Sequence, residues 1–171
     1  MIRTTLLAGA ALLLAVGAQA NTEPRLYGLH EKVRLPDLAL ELPAKLDTGA
    51  VTASLSARDI ELFERDGEGW VRFRLAVDGE HADRAVEKPL VRISQIKRRA
   101  ADRAPGDERA FTRRPVVAMD ICLGDERREI EVNLTDRSDF DYPLLIGSTV
   151  LRELDAAVAP GLRHAAGDPL C

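Results

Sequence analysis

Apolar and polar positions alternate along much of this chain with the period of two that marks strands half buried on one face. From Trp70 to Val77, apolar Val71, Phe73, Leu75 and Val77 alternate with Trp70, Arg72, Arg74 and Ala76, and Asp78-Gly79 supplies a turn. The clearest hairpin pairs Val116–Leu123 with Glu129–Leu134 across Gly124-Asp125, burying Val117, Met119, Ile121 and Leu123 against Ile130, Val132 and Leu134. An earlier apolar segment, Leu38 to Leu46, is broken by Pro43 and runs into Asp47-Thr48-Gly49-Ala50. A short helix is predicted over Ser148–Leu154, where Val150, Leu151 and Leu154 share a face after Gly147. Helix is otherwise scarce and no internal repeat is visible. Lys97 to Arg114 has little apolar periodicity and is crowded with arginine, acids and alanine around Pro105-Gly106. It is expected to be a mobile loop, or the exposed tip of a hairpin.

The first twenty residues stand apart. Arg3 supplies a positive n-region, Leu6 to Val16 an apolar h-region, and Ala18-Gln19-Ala20 a small-x-small cleavage site. The apolar run is shorter than the roughly 20 residues that span a bilayer, so an export signal is expected. No cysteine lies near the cleavage point to carry a lipid, and Arg3 has no neighbouring arginine. The expected product is periplasmic or secreted, with no stable membrane insertion once the leader is removed. The expected organisation is a signal peptide at 1–20, an N-terminal segment at 21–32, one domain at 33–158 and a tail at 159–171.

At 171 residues, with 46% hydrophobic and 30% charged positions, the chain has length for one globular domain. Its formal charge of −4 argues against a nucleic-acid partner, whose proteins show a strong basic excess. Cys122 and Cys171 are the only cysteines. They fit one disulfide tying the tail to the body in an oxidising compartment; the alternative is a buried Cys122 with Cys171 loose at the terminus.

An aspartate followed by a small hydroxyl residue and a glycine, entered from an apolar strand, is a way of presenting a catalytic carboxylate. The glycine lets the backbone turn sharply and the hydroxyl can bond across the base of a site. Asp47-Thr48-Gly49 has that form, though such tripeptides also occur in ordinary turns. A second element is Pro143 to Leu151, in which apolar residues run into Gly147 and then a helix. Lys45-Leu46-Asp47-Thr48-Gly49-Ala50 followed by Leu145-Ile146-Gly147 resembles the two signatures of retropepsin-like aspartic peptidases. Val132 to Ser138 with Tyr142 to Gly147 resembles more narrowly a bacterial group of that family commonly labelled ATP-dependent zinc proteases. The resemblance covers roughly Val33 to Leu154. It implies an all-β closed barrel with a single lobe and one short C-terminal helix, and peptide-bond hydrolysis by water activated on Asp47. It further implies catalytic roles for Asp47, Thr48 and Gly49, substrate contacts at Ala50, Ile146 and Gly147, and a peptide or protein substrate.

The zinc label finds no support in the residues. His30, His81 and His164 are isolated, with no His-Glu-x-x-His and no closely spaced cysteines, and no glycine-rich phosphate loop is present. The histidines are expected to be surface or satisfied structural residues, and no metal or cofactor is expected. Where many retropepsins carry an acid after the motif and an arginine after the C-terminal glycine, this chain has Val51 and Ser148. Both charges that help join two subunits are therefore absent. A homodimer is still expected, since one Asp-Thr-Gly supplies one carboxylate and the mechanism needs two. Asp136 and Arg137 stand as a buried pair supporting the site, as the group resemblance hints, or as a Thr-Asp turn capped by its own side chains. Trp70 is expected to pack, and Asp139 and Asp141 to be solvated. The alternatives to a peptidase are a non-catalytic peptide-binding module on the same fold and the zinc-dependent hydrolase of the label. The Lys97–Arg114 segment is expected to cover the cleft as a flap.

Overall fold

The computed structural model describes residues 23–78, 84–97 and 110–171. The leader and most of the central charged segment lie outside the described residues.

Among the described residues ten strands, one 3-10 turn and one α-helix follow each other in chain order: β1 Arg25–Leu35, the 3-10 turn Pro36–Leu38, β2 Leu40–Asp47, β3 Ala53–Arg65, β4 Glu68–Leu75, β5 Ala85–Pro89, β6 Arg92–Lys97, β7 Phe111–Leu123, β8 Glu126–Thr135, β9 Leu144–Gly147, α1 Ser148–Glu153 and β10 Ala156–Arg163. Six of them close into a barrel in the order β1-β2-β9-β3-β8-β7, with the antiparallel pair Arg34↔Cys122 joining β7 back to β1. Outside the ring, β10 adds to β1 and β6 adds to β7, while β4 and β5 extend from the far half of β3. This is the closed all-β barrel with one short helix that the sequence resemblance implies.

The barrel forms because alternate positions of each strand are apolar. Leu40, Leu42, Ala44 and Leu46 of β2 are buried while Glu41 and Pro43 between them are exposed. Met119, Ile121, Val132, Leu134, Leu144 and Ile146 fill the interior with 1% exposure or less. Each such aliphatic side chain contributes roughly 1.5–3 kcal/mol by leaving water. All the residues expected to line the β7–β8 hairpin's inner face are in this core. The hairpin is longer at both ends than its periodicity predicts, and Phe111–Arg114, expected in the loop, begin β7 and pair with Lys97–Ser94 of β6. The described ends of the charged segment are therefore strand, and residues 98–109 between them lie outside the described residues.

A sequence without visible repeats folds into an internally repeated barrel. The runs β1-β2-β3 and β7-β8-β9 have the same pairing: β1 with β2 and β7 with β8 antiparallel, β2 with β9 and β8 with β3 parallel. β3 meets β9 and β1 meets β7 antiparallel, so exchanging the two halves reproduces the ring.

The ends of the chain belong to the body, beyond the limits of 33 and 158 drawn from the sequence. β1 begins at Arg25, and β10 runs beside it to Arg163. Cys122 and Cys171 form a disulfide. The segment between β10 and that bridge covers Glu31, which is fully buried on β1. The Glu31 carboxylate accepts N–H bonds from Gly28, Ala165 and Ala166 at 2.5, 2.9 and 3.2 Å. Gly124, in the β7–β8 turn with φ +60°, takes the tail so closely that a Cβ would lie 2.9 Å from the Ala166 carbonyl oxygen.

Candidate active site

Asp47 is the last residue of β2, and parallel pairing sets it beside Gly147 at the end of β9. The chain then turns through Thr48 to Thr52 before entering β3. Inside the turn the Asp47 Oδ1 accepts the Gly49 N–H at 3.0 Å, and the Ala50 N–H bonds the Asp47 carbonyl at 3.2 Å. One carboxylate oxygen is thus fixed by backbone, and the half-buried side chain faces a cavity of about 580 Å³.

The turn is fastened to the start of α1. Ser148 and Thr149 donate their N–H groups to the carbonyls of Ala50 and Val51 at 2.8 and 3.1 Å. Gly147 permits this approach: a Cβ there would stand 2.5 Å from the Thr52 carbonyl oxygen. The far end of the turn is held by Asn133 of β8, which is buried. Its Nδ2 donates to Thr52 Oγ1 at 3.0 Å and to the Ala53 carbonyl at 2.5 Å.

Three basic side chains share the cavity with Asp47. Lys45 Nζ lies 3.4 Å from Asp47 Oδ2. Arg137 is 8% exposed, so its cation is largely withdrawn from water. Its Nε donates to the Tyr142 carbonyl at 3.2 Å, its N–H donates to Ser56 Oγ, and its guanidinium sits 4.8 Å from the Phe140 ring centre. Burial and the neighbouring Arg114 lower its proton affinity, while Asp47 opposes them. His30 stacks on Tyr142 with ring centres 4.4 Å apart and planes 2° from parallel. Burial, with Arg163, Lys45 and His164 nearby, holds the imidazole below its ordinary pKa.

Of the residues singled out from the sequence, Asp47, Gly49 and Ala50 line this cavity, and Thr48 is exposed beside it. Ile146 and Gly147 do not contact it. Ile146 is a core residue at 0% exposure and Gly147 is packed on Thr52, so both support the turn from behind. Asp136 and Arg137 do not pair. Asp136 is exposed and accepts the Ser138 N–H at 2.9 Å, the self-capped turn, and that bond keeps its carboxyl below the usual range. His30 also departs from expectation: its Nδ1 is buried without a partner. His164 is exposed, and His81 lies outside the described residues. Among the described residues no three His, Cys, Asp or Glu side chains are grouped as metal ligands. Sequence reasoning missed His30 and Tyr142 as cavity residues, since only the fold brings them to Asp47; Lys45 was also missed, although its place two residues before Asp47 on one strand puts both on the same face.

A barrel of this topology, with an Asp-Thr-Gly turn set against the strand-glycine-helix unit, defines the retropepsin class. A family model described as retropepsin-like aspartic endopeptidase RimB matches residues 26–169, and the chain belongs to that family. The chain is 33% identical over 125 residues to a "Probable alpha-L-glutamate ligase" of Shewanella halifaxensis, covering 71% of this chain and 26% of that protein. It is 27% identical over 147 residues to the protein of the same name in Desulfotalea psychrophila, covering 84% of this chain and 30% of that one. The chain thus spans between a quarter and a third of the length of these relatives. The crystal structure of a Legionella pneumophila protein of unknown function superposes with a TM-score of 0.67 at 37% identity, covering 82% of this chain and 97% of that one.

Proposed function

We propose that this protein is an exported aspartic endopeptidase whose active centre is made by Asp47 from two copies of the chain. The observation that carries the proposal is the Asp47 turn, with one carboxylate oxygen fixed by the Gly49 N–H and the side chain open to a cavity of about 580 Å³. Two such carboxylates about one water share a single proton. The ionised one takes a proton from the water as its oxygen attacks the peptide carbonyl carbon. The protonated one donates a hydrogen bond to the carbonyl oxygen, which becomes a hydroxyl in the tetrahedral intermediate. Collapse of that intermediate breaks the C–N bond: the amine leaves with a proton from the dyad, one hydroxyl of the intermediate returns its proton to the dyad as the carbonyl re-forms, and the two carboxylates again hold one proton.

The substrate we propose is a peptide bearing acidic side chains. Buried Arg137, with Lys45 beside it, gives the cavity a cationic wall that suits a carboxylate. Support also comes from relatives named for a glutamate ligase, of which a segment like this chain forms part.

The test is a peptide library, acidic and neutral, incubated from pH 3 to 8 with wild type and Asp47→Asn. Cleavage by wild type alone is expected, and cleavage that survives Asp47→Asn overturns the mechanism. Loss of activity to a chelator with recovery on added zinc would restore the metal alternative. Export rests on the leader: expressed with it in a Gram-negative host, the protein should begin at Asn21 and fractionate with soluble periplasmic contents, and an uncleaved membrane-bound product refutes that part.

A further inference from the structure

The turn from Ala50 to Ala53 is held from two sides. Ala50 and Val51 are held by the first N–H groups of α1. The Thr52 hydroxyl and the Ala53 carbonyl both accept from one side chain, the amide of Asn133, with a relative exposure of 2%. An amide can bind in this way only with its NH2 group turned toward the loop. Arg114 on β7 enforces that orientation: its Nη1 donates to Asn133 Oδ1 at 3.1 Å, leaving Nδ2 for Thr52 and Ala53.

Arg114 is a costly way to orient an amide. Its side chain is partly buried, its Nε meets no acceptor, and no carboxylate pairs with it among the described residues. A cation withdrawn from water without an anion generally costs stability, and an apolar side chain of similar size is often tolerated or favoured there. Arg114 also stands on the arm of the β6–β7 hairpin, opposite Ser94.

We infer that Asn133, oriented by Arg114, is a positioning residue for the reaction: through Thr52 it holds the turn that carries the reacting Asp47 carboxylate. The inference rests on the proposed peptidase activity for its kinetic consequence but not for its structural one. Neither residue lines the cavity with Asp47, so neither is expected to touch a substrate bound there.

Arg114→Met separates positioning from stability. Its melting temperature is expected to move little, relief of the partly buried cation offsetting the loss of the donor to Asn133 Oδ1, while kcat falls between about ten- and a hundredfold and KM holds, the scale expected when a reacting group is misplaced by about 1 Å. Thr52→Val and Asn133→Leu should each lower kcat, and the double variant should lose no more than the worse single one. Backbone amide exchange at Gly49 and Ala50 should quicken in Arg114→Met and Asn133→Leu. An unchanged kcat, or a kcat that falls only with the folded fraction, overturns the positioning role. If wild type cleaves no peptide, the peptidase proposal falls and amide exchange alone decides: unchanged protection at Gly49 and Ala50 then overturns the inference.

Discussion

His30 shows how a fold assigns a role that a residue's type does not. Its backbone belongs to β1 opposite Lys45, its carbonyl accepts the His164 N–H at 2.8 Å, and its ring is pressed on Tyr142. The groups around it, Lys45, Arg163 and His164 against Asp141 alone, add to burial in disfavouring the imidazolium. Because its native pKa is depressed, the unfolded chain binds the proton more readily. The stability contributed by neutral His30 is therefore present above its unfolded pKa of about 6.5 and is lost as pH falls through that value toward the lower native one. His30→Phe keeps an aromatic partner for Tyr142 and cannot be protonated. Its melting temperature, set against that of wild type from pH 5 to 8, should fall less steeply below pH 6.5, and parallel curves would show that His30 does not carry this proton linkage. Asp47 could be picked out from the sequence because its key bond, to Gly49, spans two residues. His30 could not, because its partners come from other strands and loops, and Arg137 was singled out by the resemblance but with Asp136 in place of its actual partners Ser56, Tyr142 and Phe140.

At the scale of elements, the strands whose alternation is clean were legible, while β3, β5, β6 and β10 went unpredicted, as did β1, which carries a charge in its buried row. β7 and β8 present uninterrupted apolar rows, whereas in β1 the row Tyr27, Leu29, Glu31, Val33, Leu35 is broken by a glutamate. Glu31 can be buried there because two of its three donors, Ala165 and Ala166, arrive from the far end of the chain. Nothing local in the sequence announces that compensation. The tail must stay in place for Glu31 to remain satisfied, and the Cys122–Cys171 bridge is what closes it, together with the Lys32–Asp168 ion pair and the Leu170 N–H bond to the Gly124 carbonyl. Cys171→Ser should cost about 2–4 kcal/mol of stability, the range for removing a native disulfide from a domain. Thermal unfolding of the variant should match that of wild type in reductant; equal melting temperatures for oxidised wild type and the variant would mean that the tail holds without its bridge.

At the scale of the whole molecule, the internal repeat of the barrel bears on where the second carboxylate comes from. Asp47 ends β2 and Asp136 directly follows the equivalent strand β8, and each accepts an N–H from two residues on, at 3.0 and 2.9 Å. The repeat escapes sequence comparison because its halves share a pairing pattern and not residues: Thr48-Gly49 in one half is Arg137-Ser138 in the other. Asp136 does not line the cavity that holds Asp47, so the chain's own second turn is not placed to complete a dyad there. In the proposed dimer, a second copy related by a two-fold axis near the turn would bring Asp47 against its equivalent. The surface beside the turn suits contact, with Val51 at 67% and Phe140 at 62% exposure. Val51 and Ser148 supply no charge pair to strengthen it, so the association should be weak. Activity per chain is accordingly expected to rise with protein concentration, and excess Asp47→Asn subunits should depress wild-type activity beyond simple dilution, because a mixed pair holds one reacting carboxylate. Dilution series and subunit mixing with exchange verified by labelled protein check both effects. Constant activity per chain with no loss on mixing would place the whole reaction in one copy, and the partner of Asp47 would then have to come from a residue of its own chain.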